Sequence, residues 1–210
     1  MGAATIRPER LERFDRAERH LHWWTSALVG VCLVTAAALY IAPLATLVGR
    51  RSVVKEIHVV SGLALPLPFL VARLGHWAAK LRADLRRLNR FDEHDLRWLR
   101  SLGRDPWIER GKFNAGQKLN AAFSAGALVL LLITGSMMRW YSPFPLVWRT
   151  GATFVHDWVA FALLVVLVGH VSKALGDREA MGGMLGGTVS RRWAVRKAPG
   201  WVEEQDARSA

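Results

Sequence analysis

His22, His58, His156 and His170 carry the strongest chemical signal in this chain. Neutral imidazole is the commonest protein ligand for metals, and its charge changes near neutral pH. All four lie near the ends of apolar stretches, where an ionisable side chain is costly and usually has a function. His156 and His170 are 14 residues apart. On a helix that is about 21 Å of rise, and it ends about 40° short of four full turns. Both therefore project from one face of one helix, at two levels.

The elements that position these residues read as membrane helices. Trp23 to Ile41 is 19 residues without a charge, and Leu119 to Met138 is 20. Each is long enough to cross a hydrocarbon core of about 30 Å. Ile57–Ala72 carries His58 and is otherwise apolar; Trp158–Gly169 is apolar and flanked by His156 and His170. The pattern predicts an all-α membrane protein, a bundle of four transmembrane helices at 20–42, 53–77, 115–138 and 151–174. A segment of residues 1–19 leads into a domain of 20–174. That domain contains a loop at 78–114 with short interfacial helices, and a tail of 175–210 follows. The first apolar run is too long for a cleaved signal peptide and lacks the usual flanks. Pro66 and Pro68 interrupt the second helix. Trp23, Trp24, Trp77, Trp140, Trp148 and Trp158 fall near helix ends, as in an aromatic belt. The last dozen residues are polar and read as disordered, and residues 1–19 read as a solvated amphipathic lead-in.

The net charge of +12 is distributed unevenly. The N-terminal segment, the Arg73–Lys118 region and the tail from Lys173 hold 5, 12 and 7 Lys or Arg, against 3 and 2 in the short loops around 42–56 and 139–155. Positive residues collect on the cytoplasmic side, so both termini and the long loop are expected inside. No groove-reading or stacking motif accompanies the charge, which excludes a nucleic-acid surface. Cys32 is the only cysteine. It excludes an internal disulfide, a CxxCH heme attachment and a self-contained iron–sulfur cluster, and it reads as a small buried hydrophobe.

With this topology the histidines fall into two tiers. His58 and His156 lie near the outer face, and His22 and His170 near the inner. One imidazole from each of two facing helices suits the axial positions of a heme iron. Such a six-coordinate iron moves electrons and does not activate oxygen. Zinc would want four ligands and carboxylate or thiolate company. Gly62 and Ala160, each four residues beyond its histidine, leave room for a flat macrocycle. His20 lies about 200° around the helix from His22, so the two cannot serve one iron. His76 is five turns from His58 on the same face, and geometry alone leaves it as a substitute for His22 or His170. His94 lies in the polar loop and reads as solvated. A heme-free membrane anchor or transporter is the reading from a different class.

Several segments resemble the gamma subunit, a diheme cytochrome b, of membrane-bound formate dehydrogenases. They are Glu18-Arg19-His20-Leu21-His22-Trp23, Ile57-His58, Gly111-Lys112-Phe113-Asn114-Ala115-Gly116-Gln117-Lys118, Val155-His156, Gly169-His170 and Ser190-Arg191-Arg192-Trp193. The resemblance spans roughly residues 13–204. It selects His22 over His20 and implies two heme b, the inner iron held by His22 and His170 and the outer by His58 and His156. It implies electron transfer from an iron–sulfur beta subunit, across the bacterial inner membrane, to menaquinone or ubiquinone in anaerobic respiration. It also implies a molybdenum or tungsten alpha subunit where formate is oxidised. Asn114, Gly116 and Gln117 are the implied quinone contacts, while the residues alone also read as a capping box from Asn114 to Gln117. Lys112 and Lys118 read as interfacial lysines meeting lipid or a partner, or assisting proton uptake. Arg191, Arg192 and Trp193 read as a lipid anchor or a docking site for the iron–sulfur subunit. Arg139 and Arg149 read as contacts to heme propionates or to headgroups. Hydrogenase and thiosulfate reductase cytochromes b are the alternative complexes.

Overall fold

The computed structural model describes residues 9–74, 78–105 and 111–209. In chain order the elements are β1 (Arg10–Glu12), α1 (Arg16–Tyr40), α2 (Ala42–Val48), α3 (Arg51–Ala64), α4 (Pro66–Leu74), α5 (Ala78–Asn89), α6 (Glu93–Ser101), α7 (Ala115–Arg139), α8 (Leu146–Leu175), α9 (Arg178–Gly186), β2 (Thr188–Ser190), α10 (Arg191–Lys197) and α11 (Pro199–Ser209). Among the described residues four stretches are long and apolar enough to cross a membrane: Arg16–Tyr40, Arg51–Leu74, Ala115–Arg139 and Leu146–Leu175. They match the four expected spans to within five residues at each end. The second is broken at Leu65, because Pro66 has no N–H to continue the helix; Leu65 itself closes a tighter turn onto the Gly62 carbonyl at 3.3 Å. Gly49 ends α2 with φ +64°, a left-handed conformation that suits glycine.

The chain divides into two units, and α1, α7 and α8 contribute residues to both. One unit comprises 20–78 and 123–170. Its helices expose apolar side chains all along their length, among them Val34, Val60, Val129 and Val165. That pattern belongs to a surface meant for lipid rather than water. Trp140 and Trp148 are exposed at helix ends and Trp23 and Trp24 about two turns inside α1, whereas Trp158, expected near a helix end, is exposed near the middle of α8, because that helix begins at Leu146 rather than 151; Trp77 lies outside the described residues.

The other unit comprises 1–19, 79–122 and 171–210, and here two sequence expectations are corrected. Residues 10–12 are not a solvated lead-in. They form β1, which pairs antiparallel with β2 in the register Arg10 to Ser190, Leu11 to Val189 and Glu12 to Thr188. Residues 199–209 are not disordered: they form α11, which buries Trp201 and Val202 against Leu11, Val189, Trp193 and Ala194. The fold is therefore helical with one two-stranded ribbon among the described residues.

The basic residues of this unit are partly internal. Arg13 is buried; its Nη2 donates to the Lys112 carbonyl at 2.9 Å, and its guanidinium stacks 4.6 Å from the Trp193 ring. Burial lowers the Arg13 pKa to about 10, against the opposing pull of Asp177 and Asp84. Lys112 and Lys118 are buried as well, so neither is an interfacial contact to lipid or a partner. Lys112 pairs with Asp84 and reaches Glu18 at 3.5 Å, and Lys118 pairs with Asp95 at 2.5 Å. A buried ammonium requires such partners. Arg191 pairs with Asp206 and donates its backbone N–H to Glu9. The Trp193 indole donates to Asp177 at 3.0 Å. Arg191 and Trp193 thus bind their own unit instead of anchoring to lipid or docking a partner; only Arg192 of the three is exposed.

Candidate cofactor site

His58 on α3 and His156 on α8 face each other with ring centroids 6.2 Å apart and planes at 64°. His22 on α1 and His170 on α8 do the same at 6.2 Å and 46°. One metal atom bonded to two opposed imidazoles imposes a definite spacing. Each nitrogen–metal bond is about 2 Å, and an imidazole with bonds of about 1.35 Å has a radius of about 1.15 Å. The centroids then lie roughly 6.3 Å apart, which both tiers satisfy. Among the described residues no group of three or more His, Cys, Asp or Glu is placed to hold a metal ion. Each tier brings two imidazoles together, a donor set that would suit a heme iron better than a four-ligand zinc site.

Hydrogen bonds fix the ring tautomers at the His58–His156 tier. His58 Nδ1 lies 3.1 Å from the Cys32 carbonyl, which only accepts. It also lies 3.0 Å from Thr35 Oγ1, whose own proton is directed to the Val31 carbonyl at 2.7 Å. Nδ1 must therefore carry the hydrogen, leaving Nε2 with a free lone pair. His156 repeats the threonine contact. Its Nδ1 is 3.0 Å from Thr134 Oγ1, which donates to the Leu130 carbonyl at 2.8 Å. At the other tier His22 Nδ1 is buried without a hydrogen-bond partner among the described residues.

The surrounding space fits a flat ligand unequally. A Cβ built on Gly62 would meet nothing within 4 Å, so open space lies one turn beyond His58. Gly135 has the opposite role: a Cβ there would stand 3.2 Å from His156 Cε1, and the glycine lets α7 approach the ring. Tyr40 donates to Asp157 at 2.6 Å beside His156. Arg139 approaches Glu56 at 4.0 Å, and the Arg149 guanidinium lies 5.5 Å from the Tyr141 ring. His20 is exposed and joins neither tier. His94 bonds Arg97 at 3.1 Å. His76 lies outside the described residues.

Asn114 and Gln117 form the reciprocal cap at the start of α7. Asn114 Oδ1 accepts from Gln117 N, and Gln117 Oε1 accepts from Asn114 N, both at 3.0 Å. Gly116 lies under the Trp98 indole, where a Cβ would come within 2.6 Å.

The prokaryotic cytochrome b561 family model matches residues 13–187. The chain belongs to that family. That family's chemistry is heme b and electron transfer. Named relatives agree. The formate dehydrogenase cytochrome b556 subunit of Haemophilus influenzae is 24% identical over 208 residues, covering 93% of this chain and 84% of the relative. The cytochrome b556(fdo) subunit of Escherichia coli formate dehydrogenase is 25% identical over 212 residues, covering 94% of each. The nitrate-inducible cytochrome b556(Fdn) subunit of the same organism is 30% identical over 122 residues, 54% of this chain and 56% of the relative.

Thr35 and Thr134 escaped the sequence reading of this cytochrome. Both sit inside apolar helices, where a threonine commonly bonds the carbonyl four residues back. Their meaning lies in their level, opposite a histidine on a neighbouring helix. Cys32 is half-buried rather than a buried hydrophobe, and its carbonyl joins Thr35 in contacting His58.

Proposed function

We propose that this chain is the diheme electron-carrying membrane subunit of a formate dehydrogenase. The observation that carries this reading is the matched 6.2 Å spacing of two imidazole pairs, together with relatives of that name covering most of the chain. His58 and His156 hold one heme b, and His22 and His170 the other, about 21 Å apart along α8. Heme supplies reversible one-electron chemistry, which quinone completes as the final acceptor.

The distribution of Lys and Arg supports both termini on the cytoplasmic side of a bacterial inner membrane. His58–His156 is then the outer tier, facing an iron–sulfur subunit, and His22–His170 is the inner. Formate oxidation belongs to a molybdenum or tungsten subunit. The Asn114–Gln117 cap supports quinone binding at the start of α7. It engages both amide oxygens with backbone N–H groups and leaves two NH2 groups as donors for a quinone carbonyl.

The test is to purify the complex and add formate. Heme reduction, reoxidation by a quinone analogue, and copurified molybdenum or tungsten support the reading. A nickel subunit reduced by hydrogen assigns the chain to a hydrogenase instead, and absence of heme leaves only a membrane anchor.

A further inference from the structure

The two tiers differ in one respect that bears on direction. At His58 and His156 every Nδ1–H meets a hydroxyl or carbonyl oxygen at 3.0–3.1 Å. At His22 the Nδ1 is buried and has no partner among the described residues, and the same holds for the Thr25 hydroxyl three residues on. A hydrogen bond from the distal ring nitrogen raises the basicity of the ligating nitrogen and fixes the ring orientation. A more basic ligand favours the ferric over the ferrous state and lowers the reduction potential of the iron it binds.

We propose that Thr35 and Thr134 are positioning residues that make the His58–His156 tier the lower-potential site, so that electrons run downhill toward the His22–His170 tier. This rests on the heme assignment given under Proposed function. The exchange is of a single electron: iron between His58 and His156 goes from ferrous to ferric, and iron between His22 and His170 from ferric to ferrous. No proton leaves either imidazole, because each threonine hydroxyl already directs its hydrogen to a carbonyl of its own helix. The device is repeated on two helix pairs, α1 with α3 and α7 with α8. That repetition distinguishes it from an incidental threonine back-bond.

The experiment is a redox titration of the heme absorbance in the purified complex, with Thr35→Val, Thr134→Val, the double variant, and the conservative Thr35→Ser and Thr134→Ser. Valine keeps the shape and removes the acceptor. Loss of such an outer-shell partner typically costs about 10–100-fold in metal affinity or activity; a tenfold change in the preference for ferric over ferrous iron is about 59 mV for a one-electron couple. The expected result for Thr134→Val is an upward shift of that order in the lower-potential component, the one missing from His156→Ala. The shift is smaller in Thr35→Val, where the Cys32 carbonyl remains, and largest in the double variant. The serine variants stay at the wild-type potential. Unmoved potentials with both hemes retained would overturn the proposal while leaving the heme assignment intact, as would serine variants shifted as far as valine ones or outright heme loss in the valine variants. A wild-type complex without heme, or a His156→Ala complex with both, would instead overturn the assignment itself.

Discussion

Gly135 offers a graded test of how α7 meets the His156 ring. A Cβ at this position would stand 3.2 Å from His156 Cε1 and 3.6 Å from Nδ1, against an ordinary carbon–carbon approach of about 3.5–4.0 Å. Gly135→Ala thus asks the ring to yield by a few tenths of an ångström. Overpacking of this kind costs about 1–3 kcal/mol. Charged to heme binding, the lower half of that range is about a tenfold loss of affinity. Gly135→Leu extends the intrusion by a branched side chain, and a nitrogen–metal bond of about 2 Å cannot stretch to absorb it. The assay is heme per polypeptide, measured spectrally on protein purified at equal expression. Gly135→Ala should retain both hemes with a perturbed spectrum and easier loss of one, and Gly135→Leu should retain only one. Gly126 on the same helix is the control, since a Cβ there meets nothing within 4 Å; Gly126→Ala should match wild type. Two hemes with an unchanged spectrum in Gly135→Leu would refute the close approach.

Three further outcomes follow from the other unit and from the cap. Lys112→Met should destabilise the chain by about 3–5 kcal/mol, because it leaves buried Asp84 and Glu18 without their ammonium; Arg208→Ala, at an exposed pair, should stay within about 0.5 kcal/mol, and equal thermal shifts in detergent would contradict this. Burial pushes the Asp84 carboxyl up, but hydrogen bonds from Glu18, Lys112 and Arg87 outweigh it and hold the pKa below the ordinary value. Its stabilisation is therefore complete above the unfolded value of about 3.9 and is lost as pH falls through the lower folded value, so Asp84→Asn should flatten the acid limb of unfolding followed by circular dichroism. Gln117→Ala should raise the KM for a quinone analogue without changing heme content, beyond what a capping loss of about 1 kcal/mol does to stability; an unchanged KM would leave the residue with capping alone.

The four spans and the levels of the histidines were legible because they depend on local composition and helical period. Two histidines 14 residues apart share a face whatever else the chain does. Pro66 broke its helix for the same local reason. The second unit was not legible, because its order is long-range. β1 and β2 are three residues each and 178 positions apart in Arg10 and Thr188, a pairing with no local signature. The small core of Leu11, Val189, Trp193, Trp201 and Val202 is scattered through polar sequence. Lys112 and Lys118 looked interfacial because lysine usually is; their partners Asp84 and Asp95 lie 28 and 23 residues away. Thr35 and Thr134 acquire meaning only once neighbouring helices are in register.

The central claim is that two imidazole pairs each grip one heme. Heme stoichiometry in paired variants tests it most directly. The account predicts two hemes per chain in wild type and in His76→Ala. One heme should remain in His58→Ala with His156→Ala, a different one in His22→Ala with His170→Ala, and none when all four are replaced. Two hemes retained in either double variant would contradict it.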